Sequence, residues 1–206
     1  MQKELKIILV SSTLLNLAAG LFGPLYAAFV EEIGGGLVVT GASYAVYTTA
    51  SGFLVFFISR WEDHVKHQEK LVIFGRGLVA LAFFGYLLIS KPIHLFIVQG
   101  VLGIAFAVSA PALQSIYSKH LDDGKYASQW GLWEALIGIA AGIAALAGGF
   151  VAEVYGFRVL FWFMFLFSVA SLLYSFRLLR KPKGKSGAKE SGYRRLVPNR
   201  RAGSVK

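Results

Sequence analysis

Six long apolar runs, separated by short polar or glycine-rich breaks, set the layout of this chain. They cover residues 7–30, 37–58, 71–90, 93–117, 126–151 and 158–176. A soluble helix would interleave a polar face with its apolar stripe, but these runs are nearly unbroken. A helix of about 20 residues crosses a hydrocarbon layer of ~30 Å. Helix also pairs every backbone group where no water can. The breaks carry turn chemistry: Glu31-Glu32-Ile33-Gly34-Gly35-Gly36, Lys91-Pro92 and Tyr155-Gly156. The pattern predicts an all-α membrane protein with six transmembrane helices. The first run is too long for a signal-peptide core and lacks a small-residue cleavage site, so it reads as a mature span.

Beyond the sixth run the pattern changes to Lys, Arg, Gly and Ser, which divides the chain into a membrane domain, 1–176, and a basic tail, 177–206. The net charge of +10 belongs to the tail, because residues 1–176 hold equal numbers of acidic and basic side chains. A tail of this composition is expected to be disordered. It would lie against anionic headgroups, each basic residue contributing about 1 kcal/mol near the surface. No aromatic-interleaved patch accompanies it, so nucleic acid is not an expected partner. The bias also orients the spans. Lys3, Lys6, Arg60, Lys66, Lys70, Lys119, Lys125 and the tail fall on one side, against Lys91 and Arg158 on the other. Cytoplasmic loops carry the excess of Lys and Arg. Both termini are therefore expected in the cytoplasm, with the protein in a plasma or inner membrane.

The chain repeats itself weakly. Gly23-Pro24-Leu25 in the first run answers Ala110-Pro111-Ala112 in the fourth, and Ala42-Ser43-Tyr44 answers Ala127-Ser128-Gln129. Three spans per unit is an odd number, so the second unit sits upside down relative to the first. Between the second and third runs lies Ser59-Arg60-Trp61-Glu62-Asp63-His64-Val65-Lys66-His67-Gln68-Glu69-Lys70-Leu71. It resembles the Gly-x-Leu-Ala-Asp-Arg-x-Gly-Arg-Lys-x-x-Leu loop of the major facilitator superfamily. Asp63 falls on its acidic position, His67 on a basic one and Leu71 on the closing leucine; Ser59, His64 and Lys66 depart from it. Gln99-Gly100 is similar to that family's fourth helix, with Val98 where an arginine is common. Gly148-Gly149 with Tyr155-Gly156-Phe157-Arg158 resembles the turn into its sixth. Gly142 is followed by Ile143 where the antiporter signature has proline, so antiport is not implied.

The resemblance spans all the hydrophobic chain and amounts to one half of a twelve-helix transporter. It implies two inverted three-helix repeats and transport of a small solute by alternating access. Two copies in parallel would restore the full architecture, so a homodimer is expected. Gly131, Ala135, Gly138, Gly142, Ala145 and Gly149 line one stripe of the fifth run, and small residues let membrane helices approach closely. The stripe serves contact between copies or packing within one.

Candidate site residues follow from polarity inside the runs. Glu134 lies deep along its span, and an intramembrane carboxylate is by default a functional group; it is the candidate for proton coupling, with an ion pair to Arg76 as the structural alternative. Arg76 is expected to reach the cytoplasmic face or Glu69. With Asp63 and His67 it forms the candidate gating group. Asn16, Tyr44, Tyr47, Gln99, Gln114 and Trp130 are candidates to line a substrate cavity. His64 and His67 beside Glu62 and Asp63 make a poor metal site without thiolates, and there are no cysteines. No HExxH, GxSxG or Walker motif is present, so neither an enzyme nor a cofactor is expected. Two other readings stand beside the homodimeric transporter: a half that needs a separate partner half, and a membrane scaffold working through its basic tail.

Overall fold

In a computed structural model that describes residues 2–179, every predicted run falls on a helix. The helices are α1 (Lys3–Phe22), α2 (Tyr26–Glu32), α3 (Leu37–Glu62), α4 (Gln68–Tyr86), α5 (Pro92–Lys119), α6 (Tyr126–Tyr155) and α7 (Phe157–Ser175). Short 3₁₀ turns occupy Gly23–Leu25 and Phe176–Leu179. The expected tail, 177–206, begins within the second of these turns, where Leu178 is buried in the bundle rather than disordered; from 180 onward it lies outside the described residues. Lys3–Glu32, α3, α5, α6 and Phe157–Leu179 are long and apolar enough to cross a membrane. The span at α4 is shorter than the predicted 71–90, at 19 residues. It also carries Glu69, Lys70 and Arg76.

Local chemistry accounts for the breaks. Pro92 opens α5 at a position where its missing N–H has no intrahelical partner to lose. Gly156 joins α6 to α7 at φ 80°, a conformation that favours glycine. The two repeat prolines behave differently. Pro24 sits in the 3₁₀ turn that separates α1 from α2, so the first span is broken where one helix was expected. α5 runs straight through Pro111.

Packing follows the inverted repeat. α3, the second span of the first unit, lies on α5; α6, the second span of the second unit, lies on α1. α4 packs on α5 and α7 on α1, while α4 and α7 meet at the back. The spans thus run around the bundle as α3–α5–α4–α7–α1–α6, and α1 touches α5 only slightly. Glycines permit the two exchanged contacts. A Cβ at Gly103 would lie 2.9 Å from the Tyr47 carbonyl oxygen, and one at Gly20 would lie 3.0 Å from Ala141 Cα. Gly148 lies against the Leu21 backbone.

Two apolar cores stack along the bundle. One holds Leu5, Ile8, Val72, Ile116, Tyr117 and Trp133. The other is built on Phe22, Phe29, Tyr86 and Phe161, with edge-to-face ring contacts such as Phe22–Phe161 at 5.2 Å. Along α1 the serines Ser11 and Ser12 fall between the two.

Candidate functional site

The gap between α1 and α5 is a cavity of about 490 Å³, set toward the end of the bundle that holds the α2–α3 turn. α1 contributes Leu15, Asn16 and Ala19; α3 contributes Tyr44 and Tyr47; α5 contributes Gln99, Leu102, Phe106 and Ser109. Val79, Phe83 and Tyr86 of α4 and Met164 of α7 form its back, with Phe22, Gly23 and Tyr26 at one end. Tyr44 and Phe106 line it while remaining 56% and 46% exposed, and Ala19 and Gly23 are exposed opposite them, so this side is its mouth. No formally charged side chain lines it.

Its polar groups are mostly held by neighbours. Tyr26 Oη and Ser43 Oγ share a 2.6 Å hydrogen bond, and Gln99 Nε2 donates to Tyr86 Oη at 3.4 Å. Asn16 Nδ2 donates to the Ser12 carbonyl at 2.9 Å and Ser109 Oγ to the Ala105 carbonyl at 2.7 Å. These contacts take one N–H of each amide, which leaves the second N–H and the carbonyl of Asn16 and Gln99, the Tyr44 and Tyr47 hydroxyls and the ring faces for a guest. Cavities of this size, mostly apolar with a few placed polar groups, suit small ligands. Tyr44 and Tyr47 stand 6.0 Å apart, centroid to centroid, as a ring pair at the mouth.

Four of the six predicted cavity residues, Asn16, Tyr44, Tyr47 and Gln99, line it together. Gln114 is exposed on α5 away from it. Trp130 belongs to the other core, its ring 4.8 Å from Tyr117 and 5.9 Å from Trp133. Sequence reasoning missed Phe22, Tyr26, Phe83, Tyr86, Phe106 and Met164. Their signal was hidden because apolar residues face lipid, core and cavity alike.

Arg76 departs from expectation. It is 2% exposed, reaching neither Glu69 nor the bundle surface. Nη1 donates to the Ser11 carbonyl at 2.8 Å and to Ser171 Oγ, and Nη2 donates to Ser12 Oγ at 3.0 Å. One guanidinium thus ties α4 to α1 and α7, one turn from the cavity residue Val79. Glu134 is exposed on α6 and does not line the cavity. Around it a Cβ added at Gly131, Gly138, Gly142 or Gly149 would meet nothing within 4 Å, so within one copy these glycines pack on nothing. Asp63 and His67 are exposed in the α3–α4 turn. Among the described residues no cluster of three His, Cys, Asp or Glu is placed to hold a metal.

The sequence profile of the Major Facilitator Superfamily matches residues 8–203. The chain belongs to that family. It is a multi-span helical membrane protein of a transporter family, not an enzyme. Among its relatives, the uncharacterized MFS-type transporter YitZ of Bacillus subtilis (strain 168) is 22% identical over 145 residues, 70% of this chain and 88% of YitZ. The multidrug resistance protein MdtG of Proteus mirabilis (strain HI4320) is 24% identical over 89% of this chain but 46% of its own length. The methylenomycin A resistance protein of Bacillus subtilis (strain 168) is 28% identical over 44% of this chain and 19% of its own. The chain therefore spans less than half of the latter two and most of YitZ.

Proposed function

We propose that this chain is half of a secondary transporter, completed by a second copy, that moves a ring-bearing, largely apolar small solute by alternating access. The observation that carries this reading is the one-sided cavity. Its mouth lies between α1 and α5, flanked by α3 and α6, whose apolar stretches are mostly exposed. A twofold axis along the membrane normal, in front of the mouth, sets α3 of one copy against α6 of the other. Both half-cavities then close into one. The open glycine stripe of α6 would receive α3, because small residues permit close approach. The aromatic lining and the resistance-related names of two relatives favour an exported, apolar aromatic compound.

In this arrangement both termini are cytoplasmic, as the Lys/Arg bias argues, and Asp63, His67 and the α3–α4 turn gate the cytoplasmic side. A cysteine placed at Lys66 should react only with reagent on that side. The tail would hold anionic lipid. The alignment to just under half of MdtG favours a second reading, a separate partner half. A scaffold working through the tail is the third, and it would tolerate loss of Glu134 but not of the tail.

The mass of the detergent-solubilised particle separates these readings. One copy is 22.5 kDa, and the expected particle is twofold. Gly138→Leu should shift it to monomer without loss of insertion, lowering self-association at least about tenfold, since a bulky side chain undoes the close approach. A strictly monomeric particle that still transports would end the dimer reading.

Glu134 is proposed as the proton-coupling group, facing the partner copy. In proteoliposomes loaded with a neutral aromatic dye, Glu134→Gln should abolish accumulation driven by a pH gradient while leaving dye exchange measurable. Normal gradient-driven accumulation by the variant would remove Glu134 from coupling.

A further inference from the structure

We infer that Glu62 is a proton-binding site that latches the α3–α4 turn to the end of α5, so that docking of this turn takes up one proton from solution. At 26 residues, about 39 Å, α3 is longer than a hydrocarbon layer of ~30 Å, so its last turn, Ser59, Arg60, Trp61 and Glu62, reaches past that layer at the end of the bundle holding Lys3, Lys119 and Lys125. There Glu62 is 2% exposed, and both its carboxyl oxygens are buried with no hydrogen-bond partner. The contrast at the same end is Asp122, whose carboxylate accepts a 2.8 Å bond from Gln129 Nε2. That bond holds Asp122 below the usual carboxylate range.

The corner around Glu62 is bolted by one neutral side chain. Gln68 Nε2 donates to the Glu62 carbonyl at 3.3 Å, while Gln68 Oε1 accepts from Ser115 Oγ at 3.0 Å and Lys119 Nζ at 2.9 Å. Gln68 thereby joins the end of α3, the start of α4 and the end of α5. The charged and titratable groups of these elements are otherwise engaged or exposed. The Arg60 guanidinium is turned back over the Phe56 ring at 4.2 Å, and His64 Nδ1 meets the Arg60 carbonyl at 3.0 Å. His120 Nδ1 meets the Ile116 carbonyl at 2.8 Å. Asp63, Lys66, His67 and Lys70 are exposed, and Glu69 is half-buried. None of them bonds to the Glu62 carboxyl.

An ionised carboxylate cannot be stripped of water without a donor, so the docked corner holds Glu62 neutral. Burial pushes this carboxyl from 4.5 up to about 7, and the neighbouring Asp63 adds to the rise. Opening the turn returns it to water and its ordinary value. The docked form is therefore fully stable where both forms are protonated. It loses ground as pH rises through the window from 4.5 to about 7, and loses no more above it. Within that window the equilibrium moves against docking by about tenfold per pH unit.

The chain has no cysteine, so a single thiol reports the latch. Ser115→Cys places one under Gln68, and its labelling rate in the solubilised full chain is compared with and without Glu62→Gln at each pH. The ratio cancels thiol ionisation and every other pH effect that the two chains share. We expect the two rates to agree near pH 4 and below, where both forms are protonated. The chain with Glu62 should then pull ahead as pH rises, levelling off above neutral at up to about three-hundredfold. A ratio that stays constant across this range would overturn the assignment. Because the readout is docking of one turn rather than transport or dimer mass, its failure leaves the transporter reading standing, and the reverse.

Discussion

Gly148→Ala should destabilise the bundle by about 3 kcal/mol, whereas Gly149→Ala, one residue on, should stabilise it by up to about 1 kcal/mol. In an isolated helix both exchanges favour the helical state by the same amount, since alanine is the better helix former. The surroundings reverse the sign at one of them. A Cβ on Gly148 runs into the carbonyl oxygen, carbonyl carbon and Cα of Leu21, which are backbone atoms of α1 and cannot swing aside. A Cβ on Gly149 meets nothing within 4 Å. To admit the methyl group at 148, α6 must withdraw from α1, opening the contacts of Gly20 with Ala141 and Ala144, both 3.0 Å from its added Cβ. That contact holds one of the two exchanged spans in place, so its loss opens the fold rather than a local patch. Thermal unfolding in detergent checks both variants in one series. Equal shifts for the two would mean that α1 and α6 do not approach as closely as described.

These neighbouring glycines show where the sequence could be read and where it could not. Apolar run length located all six helical segments, five of them long and apolar enough to cross a membrane, and Pro92 and Gly156 marked ends, because membrane thickness and turn chemistry act locally. The inverted repeat paired the two units, but the exchange of α3 onto α5 and of α6 onto α1 was visible only in the packing. The rotation of each helix was not implied. On α6 the small residues at 131, 138, 142 and 149 form a visible stripe, yet the tight contact within the chain is made by Gly148 and Ala144, about 100° around the helix from Gly149. In a span that is apolar all round, hydropathy does not distinguish the face toward lipid from the face toward a neighbour. The cavity was legible for the same reason only through its polar members. Asn16, Tyr44, Tyr47 and Gln99 stood out against apolar neighbours, and Phe83, Phe106 and Met164 did not. Polarity alone also misdirected, since Gln114 points outward and Trp130 packs in a core. Pro24 and Pro111 occupy equivalent places in the repeat, but only the first interrupts its helix, and nothing in the structure explains the difference.

Replacing Arg76 by lysine should cost more stability than replacing it by methionine. The guanidinium is buried with no carboxylate among its hydrogen-bond partners, so it bears a desolvation penalty of several kcal/mol. Against this stand three charge-assisted hydrogen bonds, to the Ser11 carbonyl, Ser12 Oγ and Ser171 Oγ, each contributing about 1.5–3 kcal/mol. The two sums nearly offset each other. Methionine, shorter but of similar volume and neutral, removes both at once. It leaves Ser171 Oγ with its own 2.6 Å bond to the Ser11 carbonyl, and the buried Ser12 hydroxyl, which loses Arg76, turns to a carbonyl of its own helix. Lysine keeps the buried charge but not the planar fork, and one ammonium cannot reproduce the two-pronged reach to α1 and α7. It forfeits about 3 kcal/mol of hydrogen bonding while keeping the full desolvation cost. Thermal unfolding should therefore rank native and Arg76→Met together, with Arg76→Lys below both. The lysine variant should also weaken dye binding, because Arg76 is one turn from Val79 in the cavity wall and Ser12 holds Asn16 through its carbonyl. If lysine proves the milder change, positive charge rather than the geometry of three bonds is what this position supplies.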